Sequence, residues 1–256
     1  MEEIAIVNRR SGGSLFHYAH FFSDCLYPEV LNEIYKYKKV IRMKNIDQTL
    51  GNFSKMYKEI MGNDTVEIPE AEFLSKIKNP TILPGKENYN DLTSINKFRD
   101  FIFQRYRINP TDYNPNYPEI LLIRRGGRIE LLNDPALQKI NRNKTTGSER
   151  REIKEVQHLE MFLKRRYAHR IKTVYMETQP FEEQIKYFNN AKLIIMAHGA
   201  AMSSLIFCKP GITTVMEVGI VNYPWFNNCA KKLDLNHLKI QNDPAIIVEA
   251  LKLINI

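Results

Sequence analysis

Hydrophobic and polar positions along the chain follow two alternating periods. Short apolar runs predict buried strands, and stretches with apolar residues every three or four positions predict helices between them. In the first half, this pattern predicts strands at 3–7, 39–43, 65–68 and 80–83 and helices at 15–37, 53–61 and 95–106. Pro28 is expected to interrupt the first helix. Regular alternation of strand and helix favours a parallel sheet.

The second half continues the alternation. The pattern predicts strands at 119–123, 172–176, 193–196 and 213–218 and helices at 149–166, 180–188, 201–207 and 243–256. The last helix has the clearest start, because Asp243 suits the N-cap and Pro244 the first helical position. We therefore expect a second α/β half.

A stretch rich in proline and asparagine separates the halves. Residues 109–118 contain three prolines and three asparagines, which is typical of a linker. We predict a bilobal α/β protein with a cleft between the lobes. The predicted lobes are 1–112 and 118–242, and the predicted C-terminal helix, 243–256, can cross back to the first lobe.

Composition and charge restrict the class of protein. A chain of 256 residues with a net charge of +8 can bury a sizeable core and suits an anionic partner: nucleic acid, a lipid headgroup or a phosphorylated ligand. The three cysteines are far apart and form no C-x-x-C, which is typical of a reducing compartment. No apolar run is long enough for a signal region or a membrane span. We expect a cytoplasmic protein without a membrane span.

The segment Lys192–Ser204 predicts a strand, a turn of small residues and a helix. The turn is His198-Gly199-Ala200, and the helix begins at Ala201. Small residues let backbone N–H groups approach a ligand, and the helix start adds unpaired donors and a positive dipole end. The segment is therefore a candidate diphosphate site. A tight strand-to-helix corner in an α/β core is the alternative.

A second candidate lies in the first predicted helix. His17, His20 and Asp24 fall on one helical face. A carboxylate beside an imidazole can hold one tautomer or share the work of a general base, which the deprotonation of a sugar hydroxyl requires. The alternative is a polar stripe on the surface of a lobe.

Arginines follow a predicted buried strand at the start of the second half. Arg124, Arg125 and Arg128 surround a glycine pair, and guanidinium groups match phosphate oxygens bidentately. Ligands of open α/β sheets collect at the carboxyl ends of strands. A solvated hairpin tip is the alternative. Glu217 ends a later strand and suits either a sugar hydroxyl or a structural salt bridge.

Several familiar motifs are absent from the sequence. It contains no P-loop, no G-x-G-x-x-G, no H-E-x-x-H and no G-x-S-x-G. It also has no D-x-D, a common way for sugar-nucleotide enzymes to hold a divalent ion. If a diphosphate binds, protein cations and helix dipoles must neutralise it, so we expect neither a metal nor another cofactor.

With these segments identified, the chain resembles glycosyltransferase family 61, which includes plant arabinoxylan xylosyltransferases. The similarity is greatest in the second half. The matching positions are Ile123, Arg124, Arg128 and Asn133; Phe181–Gln184 before Ala191; His198-Gly199-Ala200; and Phe207, Pro210, Gly211 and Glu217. In the first half, His20-x-x-x-Asp24-x-Leu26-x-Pro28 is similar to the family's H-x-x-x-D-x-L-P helix, with one extra residue before the proline.

The resemblance implies a GT-B fold: two Rossmann-like lobes, with the acceptor in the first and a nucleotide-sugar in the second. It implies inversion at the anomeric carbon without an obligatory metal. Asp24, helped by His20, is implied to be the acceptor-side base, and His17, Gly12 and Gly13 belong to the same side. The implied donor contacts are Arg124, Arg125, Arg128, His198, Gly199, Ala200, Ala201 and Glu217.

The resulting hypothesis is a transferase that moves a sugar from a UDP-sugar to a hydroxyl of a glycan or glycoprotein. Xylose is the favoured sugar and N-acetylglucosamine the second choice. Eukaryotic members of the family are membrane-anchored, so this shorter chain fits a bacterial or viral cytoplasmic enzyme. The rival hypothesis is a basic, non-enzymatic module that binds nucleic acid or another polyanion. Its basic stretches lack the interleaved aromatic residues that single-strand binders prefer, so we expect no nucleic-acid partner.

Overall fold

A computed structural model describes most of the chain, in segments. The described residues are 6–8, 15, 17–35, 41–44, 50–62, 66–78, 81–83, 91–127, 133, 135, 151–219 and 224–254. They form two compact units. The first contains the described residues up to Arg107 with Asn133 and Pro135, and the second contains Ile108–Gly127 and the described residues from Arg151 onward. Among the described residues, no helix is both long and apolar enough to cross a lipid bilayer.

The first unit alternates strands and helices. Its strands are β1 (Ile6–Asn8), β2 (Ile41–Lys44), β3 (Val66–Pro69) and β4 (Thr81–Leu83). Its helices are α1 (Tyr18–His20), α2 (Tyr27–Tyr35), α3 (Ser54–Met61), α4 (Glu70–Lys76) and α5 (Leu92–Arg105). β1 pairs with β4 and β2 pairs with β3, and both pairs are parallel. The expected parallel pairing is therefore present, although α4 was not predicted.

A π-helix, Phe21–Leu26, joins α1 to α2 without a break. The Tyr27 N–H donates to the Phe22 carbonyl, five residues earlier, instead of the four of an α-helix. Pro28 lies one residue further on, within α2, so the predicted interruption at Pro28 is wrong. Proline has no N–H, and its ring clashes with the carbonyl four residues before it in a regular α-helix. The wider turn ahead of Pro28 relieves that conflict.

Aromatic side chains form much of the core of the first unit. Phe22, Tyr27 and Phe98 are fully buried. The Phe98 ring packs against the other two, with centroid distances of 5.4 Å to Phe22 and 4.8 Å to Tyr27. These contacts attach α5 to the π-helix and α2. The segment that carries the predicted catalytic pair therefore rests on a packed aromatic cluster.

The second unit is built on a five-stranded parallel sheet. Its strands are β5 (Ile120–Arg124), β6 (Ile171–Tyr175), β7 (Leu193–Ala197), β8 (Thr214–Val218) and β9 (Asn236–Ile240). Its α-helices are α6 (Val156–Tyr167), α7 (Phe181–Asn190), α8 (Pro224–Lys232) and α9 (Pro244–Leu253), and a 3-10 helix spans Ala200–Phe207. The strand order is β6-β5-β7-β8-β9. The predicted α/β class is therefore confirmed, while α8 and β9 were not predicted.

Both faces of this sheet are covered. Every residue of the central strand β7 is buried, as in parallel sheets with helices on both sides. Ile195 and the other side chains on one face pack against Leu159 and Leu163 of α6 and Leu251 of α9. The last helix is therefore part of the second unit's core, and its return to the first lobe stays a prediction.

Two sequence expectations change in the second unit, and a third is confirmed. The helix predicted from residue 149 begins at Val156, because Glu155 adopts a left-handed backbone conformation with φ 50° that an α-helix cannot contain. Gln184, which the helical pattern of the sequence alone would place at a surface position, is buried, and its Nε2 donates to the carbonyls of Met176 and Gln179 at 3.0 Å each. The N-cap at Asp243 is confirmed, since its carboxylate accepts hydrogen bonds from two backbone N–H groups of α9.

The expected linker 109–118 lies within the second unit. The Asn114 N–H donates to the Asn190 side-chain oxygen at 2.9 Å, and Asn190 Nδ2 donates to the Tyr117 carbonyl at 2.9 Å. Lys209 Nζ donates to the Asp112 carbonyl at 2.8 Å. These bonds hold the segment against the amino-terminal side of the sheet, where β7 begins.

Candidate functional site

The carboxyl ends of three strands bring most of the predicted donor residues together. In a parallel sheet these ends lie at one edge, where open α/β folds bind ligands. β5 ends in Arg124, β7 leads into His198, and Glu217 is the next-to-last residue of β8. The register places Glu217 beside Met196 of β7 and Lys239 of β9. This edge is the candidate donor site of the second unit.

Arg125 and the loop after β7 fit against each other. Arg125 Nη1 donates to the His198 carbonyl at 2.9 Å. A Cβ on Gly199 would lie 2.3 Å from that nitrogen, so any larger residue would have to displace the guanidinium. A larger residue at position 199 would therefore shift the end of the Arg125 side chain away from the loop. The contact joins the loop after β5 to the loop after β7. It also fixes the positively charged guanidinium of Arg125 at this edge of the sheet.

Arg124 is held by neighbours but keeps one unsatisfied donor. Its Nη2 pairs with Glu152 at 3.3 Å, and its guanidinium lies over the Tyr175 ring at 5.4 Å from the centroid. Its Nε is buried without a hydrogen-bond partner among the described residues. A buried donor without a partner is costly unless a ligand or water satisfies it. Arg124 Nε can therefore donate a hydrogen bond to an oxygen atom of a ligand.

The loop after β7 exposes backbone and little side chain. Gly199, Ala200 and Ala201 are half-buried, whereas the residues that follow them in the 3-10 helix are buried. The predicted helix is present, with 3-10 geometry. Within it, Ser203 Oγ is buried and has no hydrogen-bond partner in the described part of the chain. The loop therefore combines accessible backbone with a hydroxyl that lacks a partner.

A buried carboxylate joins two imidazoles beside this loop. His198 Nδ1 bonds to Glu217 Oε1, and His237 Nε2 bonds to Glu217 Oε2 at 2.8 Å. The His237 Nδ1 lies 3.2 Å from Asn227 Oδ1. Glu217 is 1% exposed, so both its oxygens face the two rings and not solvent. His237 and Asn227 were not predicted, because they lie on the unpredicted β9 and α8 and carry no motif.

The imidazoles also determine the ionisation of Glu217. Burial opposes its negative charge, but the hydrogen bonds and positive potential from His198 and His237 outweigh that effect and lower its pKa from 4.5 to about 2. Glu217 is therefore a carboxylate at neutral pH, and each bonded ring nitrogen donates a proton to it. The ionised carboxylate therefore orients both histidines.

The predicted acceptor-side pair lies in the first unit. His20 Nδ1 and Asp24 Oδ2 are 2.8 Å apart, and Ser23 Oγ donates to Asp24 Oδ1 at 2.9 Å. Asp24 is buried in the π-helix, a geometry that is common at functional sites. His17 is the half-buried N-cap of α1, and its carbonyl accepts from the Phe21 N–H. The structure thus brings His20 and Asp24 together and places His17 one turn away.

Three predicted site residues lie outside the described residues: Gly12, Gly13 and Arg128. The remaining predicted residues fall into two sets. The first unit contains His17, His20 and Asp24. The second contains Arg124, Arg125, His198, Gly199, Ala200, Ala201 and Glu217.

Comparison with known proteins identifies the family of the chain. Residues 18–216 match the family model described as Glycosyltransferase 61, so the chain belongs to that family. The resemblance stated from the sequence is therefore confirmed. Membership implies glycosyltransferase activity, with a sugar donor and an acceptor as substrates. The matched range includes Asp24, Arg124 and His198 and ends one residue before Glu217. No curated protein sequence matches the chain.

Proposed function

We propose that the chain is an inverting glycosyltransferase that moves a sugar, xylose by preference, from a UDP-sugar to a hydroxyl of a glycan or glycoprotein. The proposal includes a GT-B arrangement with the donor in the second unit and the acceptor in the first. The observation that carries it is the strand-end edge of the second unit. There, Arg124 keeps an unsatisfied hydrogen-bond donor beside a loop of small residues. The chain that contains this edge belongs to a glycosyltransferase family.

The donor side suits a diphosphate on electrostatic grounds. Arg124 and Arg125 bring two positive charges to this edge, and the loop at Gly199–Ala201 presents accessible backbone at a helix start. These groups stabilise negative charge that grows on the diphosphate as its bond to the sugar breaks. We propose that they act without a metal or another cofactor, as the lack of a D-x-D motif in the sequence suggests.

On the acceptor side, Asp24 is the proposed base. The acceptor hydroxyl oxygen attacks the anomeric carbon and forms the new C–O bond, while its proton passes to the Asp24 carboxylate. The bond between the anomeric carbon and the diphosphate oxygen breaks, and its electron pair leaves with UDP. His20 orients the carboxylate through the 2.8 Å contact to Oδ2. One such displacement inverts the anomeric configuration.

We also propose a cytoplasmic location and no nucleic-acid partner. In support, Cys25, Cys208 and Cys229 are buried thiols, which suits a reducing compartment. The rival function, a basic module that binds nucleic acid or another polyanion, relies on net charge. Against it, Arg124 and Arg125 each make a contact within their own unit.

The test combines donor turnover with matched charge variants. UDP release is measured with UDP-xylose, UDP-N-acetylglucosamine and other UDP-sugars, with and without a chelator. Arg124→Gln is expected to lower turnover about a hundredfold. Arg165→Gln removes the same charge from an exposed position on α6 and should leave turnover unchanged. Equal activities of the two variants would contradict the donor assignment.

The base is tested in the same assay. Asp24→Asn is expected to lower turnover about a hundredfold or more, since general-base catalysis contributes that much. Asp100→Asn, at an exposed position on α5, is the control. Unchanged turnover in Asp24→Asn would remove that residue from the mechanism. A thermal shift with oligonucleotides but not with UDP would favour the rival binding module.

A further inference from the structure

Glu217 is enclosed by the two histidines that it bonds. Each of its oxygens has an imidazole partner, and its side chain is 1% exposed. His237 and Glu217 come from neighbouring strands: His237 pairs in register with Val215, two residues before Glu217, so both side chains lie on one face of the sheet. A donor could reach the carboxylate only by displacing a ring.

Several contacts hold His198 in place. Arg125 Nη1 donates to its backbone carbonyl, Glu217 binds its Nδ1, and the Phe226 ring packs against its ring edge-to-face at 5.5 Å. The residue that follows it, Gly199, is half-buried and begins the accessible part of the loop. His198 is thus the member of the set that borders the loop proposed to bind the donor.

We propose that Glu217 and His237 are positioning residues that fix the ring and tautomer of His198 toward a hydroxyl of the nucleotide donor, and that Glu217 itself does not touch the donor. The proposal rests on the donor site proposed above and deepens it. An ionised Glu217 requires a proton on His198 Nδ1. The ring then presents Nε2 as an acceptor, which suits a hydroxyl group of the donor.

His237 supplies the second half of the support. Its Nε2 saturates the other oxygen of Glu217, and its Nδ1 contacts Asn227 Oδ1 at 3.2 Å on the exposed side of α8. Without His237, one carboxylate oxygen loses its donor in a site that excludes solvent, and the carboxylate is free to rotate. A carboxylate that orients a histidine fixes its tautomer. Without His237 the carboxylate is no longer fixed, so the tautomer of His198 is no longer determined.

The experiment compares three variants by two readouts. His237→Leu removes the bond to Glu217. His237→Gln keeps an N–H at the position of Nε2 and serves as the conservative rescue. His158→Leu removes an exposed histidine that bonds Glu155 at 3.1 Å, and it is the matched control. The readouts are the His198 tautomer in the unliganded protein, from nitrogen-15 NMR, and UDP affinity from calorimetry, with kcat and KM for the best donor.

In the wild type we expect His198 to carry its proton on Nδ1. In His237→Leu we expect a mixture of tautomers, UDP binding weakened about tenfold and a lower kcat, since a hydrogen bond to a charged group has this worth. His237→Gln should restore both readouts, and His158→Leu should change neither. An unchanged His198 tautomer and UDP affinity in His237→Leu would overturn the proposal. So would a Glu217→Gln variant with wild-type values.

Failure of the proposed function gives a different result. A wild-type protein that neither binds UDP nor turns over UDP-sugars would remove the donor site and, with it, the role of His198 toward the donor. The NMR readout needs no ligand. If His198 carries its proton on Nδ1 in the wild type and loses this preference in His237→Leu, the orienting role of Glu217 and His237 is established. Only the proposed ligand of His198 would then be wrong.

Discussion

The ionised state of Glu217 predicts how the stability of the second unit depends on pH. Glu217→Gln keeps the shape of the side chain but removes its negative charge, which bonds His198 and His237. The amide can accept from one imidazole, but its NH2 group opposes the N–H of the other. We therefore expect the variant to fold less stably than the wild type at neutral pH, because a buried donor loses its acceptor.

The magnitude follows from the pKa. Folding lowers the pKa of Glu217 from 4.5 to about 2. Each pKa unit corresponds to about 1.4 kcal/mol, so the carboxylate contributes about 3 kcal/mol to the free energy of unfolding. Because the folded pKa is the lower one, this contribution is complete above pH 4.5 and is lost as pH falls from there toward 2. Glu217→Gln lacks it at every pH.

The assay is urea unfolding followed by tryptophan fluorescence between pH 7 and pH 3.5. Trp225 is the chain's single tryptophan and lies in α8 of the second unit, so the signal reports on this unit. Glu155→Gln is the control, since Glu155 bonds His158 at an exposed position where ion pairs contribute little. The wild type and control should lose stability together below pH 4.5. Glu217→Gln should start about 3 kcal/mol lower at pH 7 and decline less steeply. Equal unfolding midpoints and equal pH slopes in all three proteins would refute the reasoning.

Three further substitutions test the packing around the site and the core. Gly199→Ala should displace Arg125 and weaken UDP binding, measured by calorimetry, about tenfold. Gly127→Ala, which has open space around its Cβ, should leave UDP binding unchanged. Equal UDP affinities of the two variants would contradict the close fit of Arg125 against Gly199. Ile195→Ala, in the central strand, should lower the free energy of unfolding, measured with urea, by about 2–5 kcal/mol. A loss below about 1 kcal/mol would mean that the Ile195 side chain is not tightly packed. Asp243→Ala should cost about 1 kcal/mol by removing the N-cap of α9, and an unchanged thermal midpoint would show that the cap contributes nothing.

The second unit shows which parts of the fold a single sequence can predict. Apolar runs such as Leu193–Ala197 are buried on both faces, so they are continuous in the sequence and were predicted as strands. β9 was missed because its residues alternate only weakly in hydrophobicity and lie at the edge of the sheet, with one neighbouring strand. Helix α8 contains Pro224 and two asparagines, which are poor helix formers, so its existence depends on packing and not on local preference.

The candidate site was predictable where chemistry and spacing coincide. His20 and Asp24 are one helical turn apart and do bond each other. Arg124 and His198 follow apolar runs, and parallel strands bring such ends together. The link from Glu217 to His237 joins residues of separate strands with no shared motif, so it depends on the register between β8 and β9. Single-sequence patterns carry no information about that register.

The π-helix has a consequence for how this chain relates to its family. Adding one residue to an α-helix turns everything beyond it by about 100°, which would carry buried side chains into solvent. A five-residue hydrogen bond from Tyr27 to Phe22 absorbs the addition locally. His20 and Asp24 on one side, and the helix from Pro28 on the other, keep the faces they would have without the extra residue. The extra residue that the sequence resemblance indicates before Pro28 can therefore be accommodated by widening one turn, with the rest of the helix left in phase.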